Sequence, residues 1–207
     1  MSRGDSLLDV VPVLPVVVVE EVTSAVPLAR ALAAGGLPAV ELTLRTAAAL
    51  DAIRAIAEEV PEVLVGAGTV VRPEQARQAV AAGARFLVSP GSTRALVDAM
   101  AGSGVPFLPG TATVSEVMAV LEAGCTEMKF FPAEASGGAA WLRAVAAPVP
   151  GARFCPTGGI TPQNASSYLA LPNVGCVGGS WLTPADAVRA GDWSRVEELA
   201  RRAATLR

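Results

Sequence analysis

The sequence contains no histidine. That absence removes serine–histidine–aspartate and cysteine–histidine nucleophilic chemistry. It also removes the usual imidazole ligands of a catalytic zinc, which argues against zinc-dependent chemistry. Charge is scarce as well. Charged residues make up 17% of 207 positions against 52% hydrophobic, with a net charge of −3. Such a chain is globular rather than disordered, and without a basic run it is not expected to bind nucleic acid. No apolar stretch is long enough to span a bilayer, which takes about 20 residues. The longest runs from Val10 to Val19, contains Pro12 and Pro15, and meets Glu20 and Glu21. No basic flank or small-residue cleavage site makes it a signal peptide, so a cytoplasmic protein is expected. Cys125, Cys155 and Cys176 are odd in number, lie far apart and form no CxxC. They read as small buried hydrophobes.

Short apolar runs alternate with longer amphipathic ones. The expected strands are Val13–Val19, Ala39–Leu44, Val63–Thr69, Phe86–Ser89, Phe107–Gly110, Glu127–Phe131, Arg153–Thr157 and Val174–Gly178. Most are continuously apolar, as in a parallel sheet covered on both faces. Between them lie helix signals: a possible cap at Thr46, a first-turn proline at Pro73, and a capping box from Thr113 to Glu116. Thr161-Pro162 and Thr183-Pro184 read as helix starts. Gly35, Gly102 and Gly124 suit left-handed helix ends. Eight strand–helix units close into a (β/α)8 TIM barrel in a single domain spanning 1–207. A doubly wound open sheet is the alternative, but no G-x-G-x-x-G follows the first strand.

In such a barrel the chemistry sits at the C-terminal strand ends and the loops beyond them. Lys129 stands out there, since the other fifteen basic side chains are arginine. Arginine keeps its proton, whereas a lysine amine can become a neutral nucleophile when burial lowers its pKa. Lys129 sits inside Met128-Lys129-Phe130-Phe131, and a Schiff-base amine is the expected role. Glu41, Thr43 and Arg45 share one face of the second strand. Glu41 is the expected proton shuttle, with Glu127 the next candidate, although Glu127 lies at the start of its strand. Thr157-Gly158-Gly159 follows strand seven and Gly178-Gly179-Ser180 follows strand eight. Loops at these two positions often hold phosphate on backbone N–H groups in this fold.

Several segments, in order, resemble one family. They are Pro-Val-Leu-Pro-Val-Val at 12–17, Glu-Leu-Thr-Leu-Arg-Thr at 41–46, Val-Gly-Ala-Gly-Thr-Val at 65–70 and Val-Ser-Pro-Gly at 88–91. Lys-Phe-Phe-Pro-Ala-Glu at 129–134, Pro-Thr-Gly-Gly-Ile at 156–160 and Gly-Gly-Ser-Trp-Leu at 178–182 complete the set. The family is the bacterial 2-keto-3-deoxy-6-phosphogluconate and 2-keto-4-hydroxyglutarate aldolases. The resemblance implies a class I aldolase of the Entner–Doudoroff pathway, yielding pyruvate and glyceraldehyde 3-phosphate with no cofactor and no metal. It implies Lys129 as the Schiff-base lysine and Glu41 as the proton-transferring carboxylate. Arg45 and Thr69 would hold the pyruvate carboxylate, and Pro90 and Phe131 would line the pocket. Thr157, Gly158, Gly159, Gly179 and Ser180 would surround the remaining substrate and its phosphate. The family's usual assembly is a homotrimer. The chain departs from the family pattern at Ala112, where a serine is usual. Two other readings stay open: an isomerase or synthase on the same barrel that needs no imine, and a non-catalytic barrel serving as an assembly module.

Overall fold

A computed structural model describes residues 6–206. The strands are β1 (Val13–Val17), β2 (Ala39–Thr43), β3 (Leu64–Gly68), β4 (Leu87–Val88), β5 (Phe107–Leu108), β6 (Gly110–Thr111), β7 (Glu127–Phe130), β8 (Arg153–Pro156) and β9 (Val177–Gly179). Helices α1 (Ala25–Ala34), α2 (Ala49–Glu59), α3 (Pro73–Ala81), α4 (Arg94–Ala101), α5 (Val114–Glu122), α6 (Gly138–Val145), α7 (Ala165–Leu169), α8 (Ala185–Ala190) and α9 (Trp193–Ala204) alternate with them. Every strand pair is parallel. One sheet runs β5-β4-β3-β2-β1-β9 and a second runs β6-β7-β8. β5 and β6 are two pieces of the fifth barrel strand, interrupted at Pro109, which has no N–H to give to a ladder. Bridges Phe154 to Val174 and Thr157 to Gly178 join β8 to the β9 side and close the ring. The eight expected strands are therefore present, in the (β/α)8 order.

Alternation sets the two faces of each strand. On β7, Met128 and Phe130 face the helices. Phe130 stacks on Trp141 of α6 with ring centroids 4.5 Å apart, and Phe154 meets both rings edge-on. That packing fixes which way the strand faces, and it leaves Lys129 for the barrel interior.

Several helix ends differ from the sequence reading. Thr46 does not cap α2; its hydroxyl donates to the Val19 carbonyl at 2.6 Å, and α2 starts after Ala48. Thr161 closes a turn with Asn164 before α7, and α8 begins one residue past Pro184. Gly35 and Gly102 stay at negative φ, and Gly36 and Gly104 adopt the left-handed conformation instead, while Gly124 has the expected φ of 82°. Pro73 opens α3 and Thr113 caps α5, as their residue types predict.

Candidate active site

The buried polar side chains are Glu41, Thr43, Ser89, Thr111, Lys129, Thr157 and Asn173. All but Asn173 lie in, or directly after, a barrel strand. Register explains why they meet. Glu41 on β2 lies beside Val16 and Gly66, and Lys129 on β7 lies beside Gly110 and Cys155. Both face the barrel axis from opposite walls. Lys129 Nζ donates to Glu41 Oε1 at 3.2 Å, with the two residues only 5% and 1% exposed. The Phe131 ring lies 5.4 Å from the same Nζ. A buried carboxylate without a partner would be costly; here it is paired, and the pair is close enough to exchange a proton.

Gly68 makes this arrangement possible. A Cβ at that position would sit 2.0 Å from Glu41 Oε1, so only glycine on β3 leaves room for the carboxylate. The next residue, Thr69, is β-branched and held at φ 57°. Such a conformation costs on the order of 1–3 kcal/mol and survives only where its surroundings impose it, often at functional sites. Thr111 donates its hydroxyl to the carbonyl of Lys129 itself, at 3.3 Å.

The other expected site residues lie at the C-terminal strand ends or in the loops just beyond them. Phe131 and Pro90 are half-buried. Arg45 is exposed just beyond β2, and its N–H donates to the Thr43 carbonyl at 2.8 Å. Thr157 is buried against Gly178, and Gly158 and Gly159 form a turn at φ 99° and 78°. A Cβ on Gly158 would lie 3.3 Å from the Phe131 ring, which puts this turn beside the lysine strand. Ser180 is exposed and lines a cavity of about 470 Å³ with Val16, Val18, Glu20 and Thr183. Gly179 is buried, and a Cβ there would come within 2.3 Å of the Trp181 ring. Packing alone therefore accounts for glycine at 179.

Glu127, the second candidate for the proton shuttle, is engaged elsewhere. At the N-terminal end of β7 it accepts from Arg153 at 3.2 Å and from the Ser6 hydroxyl at 2.5 Å. The sequence marks Glu134 only as part of a motif and gives Tyr168 no role. In the fold the Tyr168 hydroxyl donates to the Glu134 carboxylate, directly behind the Gly158–Gly159 turn. No sequence pattern marks two residues 34 positions apart as partners.

Residues 5–199 match the family model for KDPG and KHG aldolase. The KHG/KDPG aldolase of Escherichia coli is 54% identical over 98% of this chain and 95% of its own length. The 2-dehydro-3-deoxy-phosphogluconate aldolase of Pseudoalteromonas atlantica is 55% identical over 93% of this chain and 89% of its own. Among solved structures, the KDPG aldolase of Legionella pneumophila, with pyruvate captured as a covalent carbinolamine, superposes with a TM-score of 0.94. It is 47% identical and covers 96% of both chains. The Zymomonas mobilis enzyme with 3-phosphoglycerate gives a TM-score of 0.92 at 44% identity, over 100% of this chain and 97% of that one. With its buried lysine and glutamate facing each other across the barrel, the chain belongs to the KDPG and KHG aldolase family.

Proposed function

We propose that this aldolase cleaves 2-dehydro-3-deoxy-6-phosphogluconate to pyruvate and glyceraldehyde 3-phosphate through an imine on Lys129. The observation that carries the reading is the buried Lys129–Glu41 pair, 3.2 Å apart on opposite walls of the barrel. Lys129 passes a proton to Glu41 and its free amine attacks the C2 ketone to give a carbinolamine; Glu41 returns that proton to the departing hydroxyl so that water leaves. The resulting iminium is an electron sink. Glu41 then takes the proton of the C4 hydroxyl, the C3–C4 bond breaks, and its electrons form the enamine. The aldehyde leaves, Glu41 gives the proton it took to C3, and water hydrolyses the imine to release pyruvate and the free amine. The pyruvate carbinolamine captured in the Legionella relative corresponds to the last covalent intermediate of this route, the one from which pyruvate is released.

Arg45 and Thr69 are proposed to hold the pyruvate carboxylate, with Pro90 and Phe131 lining the pocket. Thr157, Gly158, Gly159, Gly179 and Ser180 are proposed to receive the phosphate end. Gly158 and Gly159 carry no side chain of their own, which suits a close approach of backbone N–H groups to a phosphate. The 3-phosphoglycerate in the Zymomonas relative is a phosphorylated three-carbon acid of suitable size for that end. We further infer a cytoplasmic homotrimer, checked by light scattering of the purified protein; none of the helices described is long and apolar enough to cross a membrane.

The test is reductive trapping. Pyruvate with borohydride should add one covalent adduct, at Lys129, and Lys129→Arg should fold, accept no adduct and turn over no substrate, because a guanidinium forms no imine. An adduct confined to the N-terminal amine would sink the reading. Comparing kcat/KM for the phosphorylated gluconate, phosphorylated galactonate and hydroxyglutarate substrates ranks them. A clear preference for hydroxyglutarate would replace the phosphogluconate assignment while leaving the imine intact.

A further inference from the structure

The loop after β7 does more than carry Phe131. It turns back against the loop after β8. The Ala133 N–H donates to the Thr157 carbonyl at 2.8 Å, and the Glu134 N–H donates to the Gly158 carbonyl at 3.1 Å. The Glu134 side chain then lies over Gly159, where a Cβ would stand 2.5 Å from Glu134 Cγ. Its carboxylate accepts the hydroxyl of Tyr168 on α7. From the far side, Asn164 Nδ2 donates to the Gly159 carbonyl at 3.0 Å, and the Thr161 N–H donates to Asn164 Oδ1 at 2.8 Å. The Gly158–Gly159 turn is thus held on one flank by the lysine strand's own loop and on the other by the start of α7.

The Tyr168 ring is buried and the residue is the only tyrosine in the chain. Burial, and then the bond to Glu134, push its phenol well above the usual range, so the hydroxyl stays a proton donor at any working pH. A ring fixed in the core, bonded to a carboxylate that rests on a two-glycine turn, is a brace. Two left-handed glycines in series are otherwise the least constrained backbone in a protein.

We propose that Glu134 and Tyr168 are positioning residues whose hydrogen bond sets the Gly158–Gly159 turn relative to Lys129, so that a phosphate held on the turn aligns the reacting carbons with the amine. This rests on the reading above, in which that turn receives the phosphate. Remote binding energy raises the rate only when the group that captures it is held at the right distance from the chemistry. A loosened turn would still bind phosphate but would align the substrate poorly, so the loss should fall on kcat more than on KM.

Tyr168→Phe removes one hydroxyl and keeps the ring. Assayed on 2-dehydro-3-deoxy-6-phosphogluconate and on the same keto acid without phosphate, it should lose about 10-fold in kcat/KM on the first, mostly in kcat, and far less on the second. Glu134→Ala should match it. Glu134→Gln, whose amide oxygen still accepts the phenol, should recover most of the loss. Because Glu134 is exposed, these two variants do not open the core, and they carry the test if Tyr168→Phe folds poorly. The single phenolate band gives a direct readout: Glu134→Ala should bring it in at lower pH than in the wild type. Equal losses on both substrates, or an unmoved phenolate titration, would overturn the brace. If the wild type itself shows no preference for the phosphorylated substrate, the phosphate reading falls and the brace with it. If the wild type shows the preference and every variant keeps it, the brace alone is wrong.

Discussion

In the proposed mechanism a single lysine facing a single glutamate carries the chemistry of this barrel. Removing the charge from Glu41 tests that directly. Glu41→Gln keeps the volume that Gly68 accommodates and can still accept a hydrogen bond from Lys129, so the fold should stand. Turnover should fall roughly 10²–10⁴-fold, the usual worth of a positioned general acid–base. Borohydride trapping of pyruvate should survive at a lower rate. Near-normal turnover would move the proton transfer to another group. Glu127 is ill placed for it, since it is bonded to Arg153 and Ser6 at the opposite end of its strand. At this scale much was legible beforehand. Lys129 was visible because it is the only amine side chain in the chain, set in an apolar string, and Glu41 because period-2 alternation gave it a face. Gly68 was not legible as the gap for Glu41, because that gap depends on the register of β2 against β3, which pairs Thr43 with Gly68. The strained φ of Thr69 has no sequence signal either, since threonine is among the residues least expected in that region.

Among the elements, α5 shows how local chemistry reads true when its partners lie within one turn. Thr113 Oγ1 accepts from the Glu116 N–H at 3.3 Å. Glu116 Oε2 accepts from the N–H groups of Ala112 and Thr113, both at 2.8 Å. The motif is complete within five residues, so the sequence could show it. Thr113→Ala should cost about 1 kcal/mol of stability by denaturant midpoint, the typical worth of an N-cap. Glu116 adds a pH dependence. Burial works to raise its pKa, but the hydrogen bonds from Ala112 and Thr113 outweigh that and hold it below its ordinary value of 4.5. The folded value lies below the unfolded one, so the contribution is present above pH 4.5 and is lost as the pH falls through the folded value. The stability gap between wild type and Glu116→Gln should therefore shrink on acidification through that window. A gap that stays constant with pH would show that the carboxylate contributes nothing ionic. Thr46 shows the opposite case. Its type and place suit a cap, yet its hydroxyl finds the Val19 carbonyl, 27 residues away in sequence, and no local rule foresees that.

Across the whole molecule the two ends of the barrel divide the labour, with the Lys129–Glu41 pair and the glycine turns toward the C-terminal strand ends and a polar clasp at the other. Arg153, at the start of β8, donates to both carboxylate oxygens of Asp9 at 2.7 and 3.3 Å, to Ser6 at 3.0 Å and to Glu127 at 3.2 Å. The chain between Ser6 and Asp9 also buries Leu7 and Leu8 in the core. The clasp thus ties the N-terminal segment to β7 and β8, more than 140 residues away in sequence along its Asp9 and Ser6 arms. Long-range ties of this kind are what sequence reading cannot supply; Arg153 is simply one of fifteen arginines until the fold brings its partners to it. Its neighbours on β8 lead to the part of the ring closed by isolated bridges rather than by a continuous ladder. Arg153→Met keeps an unbranched apolar stem and removes every one of these bonds. The guanidinium is partly exposed, so each ion pair is worth little alone, and the network together should contribute about 1 kcal/mol, lowering Tm by roughly 2–4 °C. Screening should reproduce part of that loss, so wild type and variant should converge in Tm at about 1 M salt. Because the clasp sits at the end of the barrel away from the chemistry, kcat below the melting range should stay at the wild-type value. An unchanged Tm would show that the buried Leu7 and Leu8 hold the segment unaided. A fall in kcat at full folding would show instead that the clasp reaches Lys129 through β7, two residues along the same face.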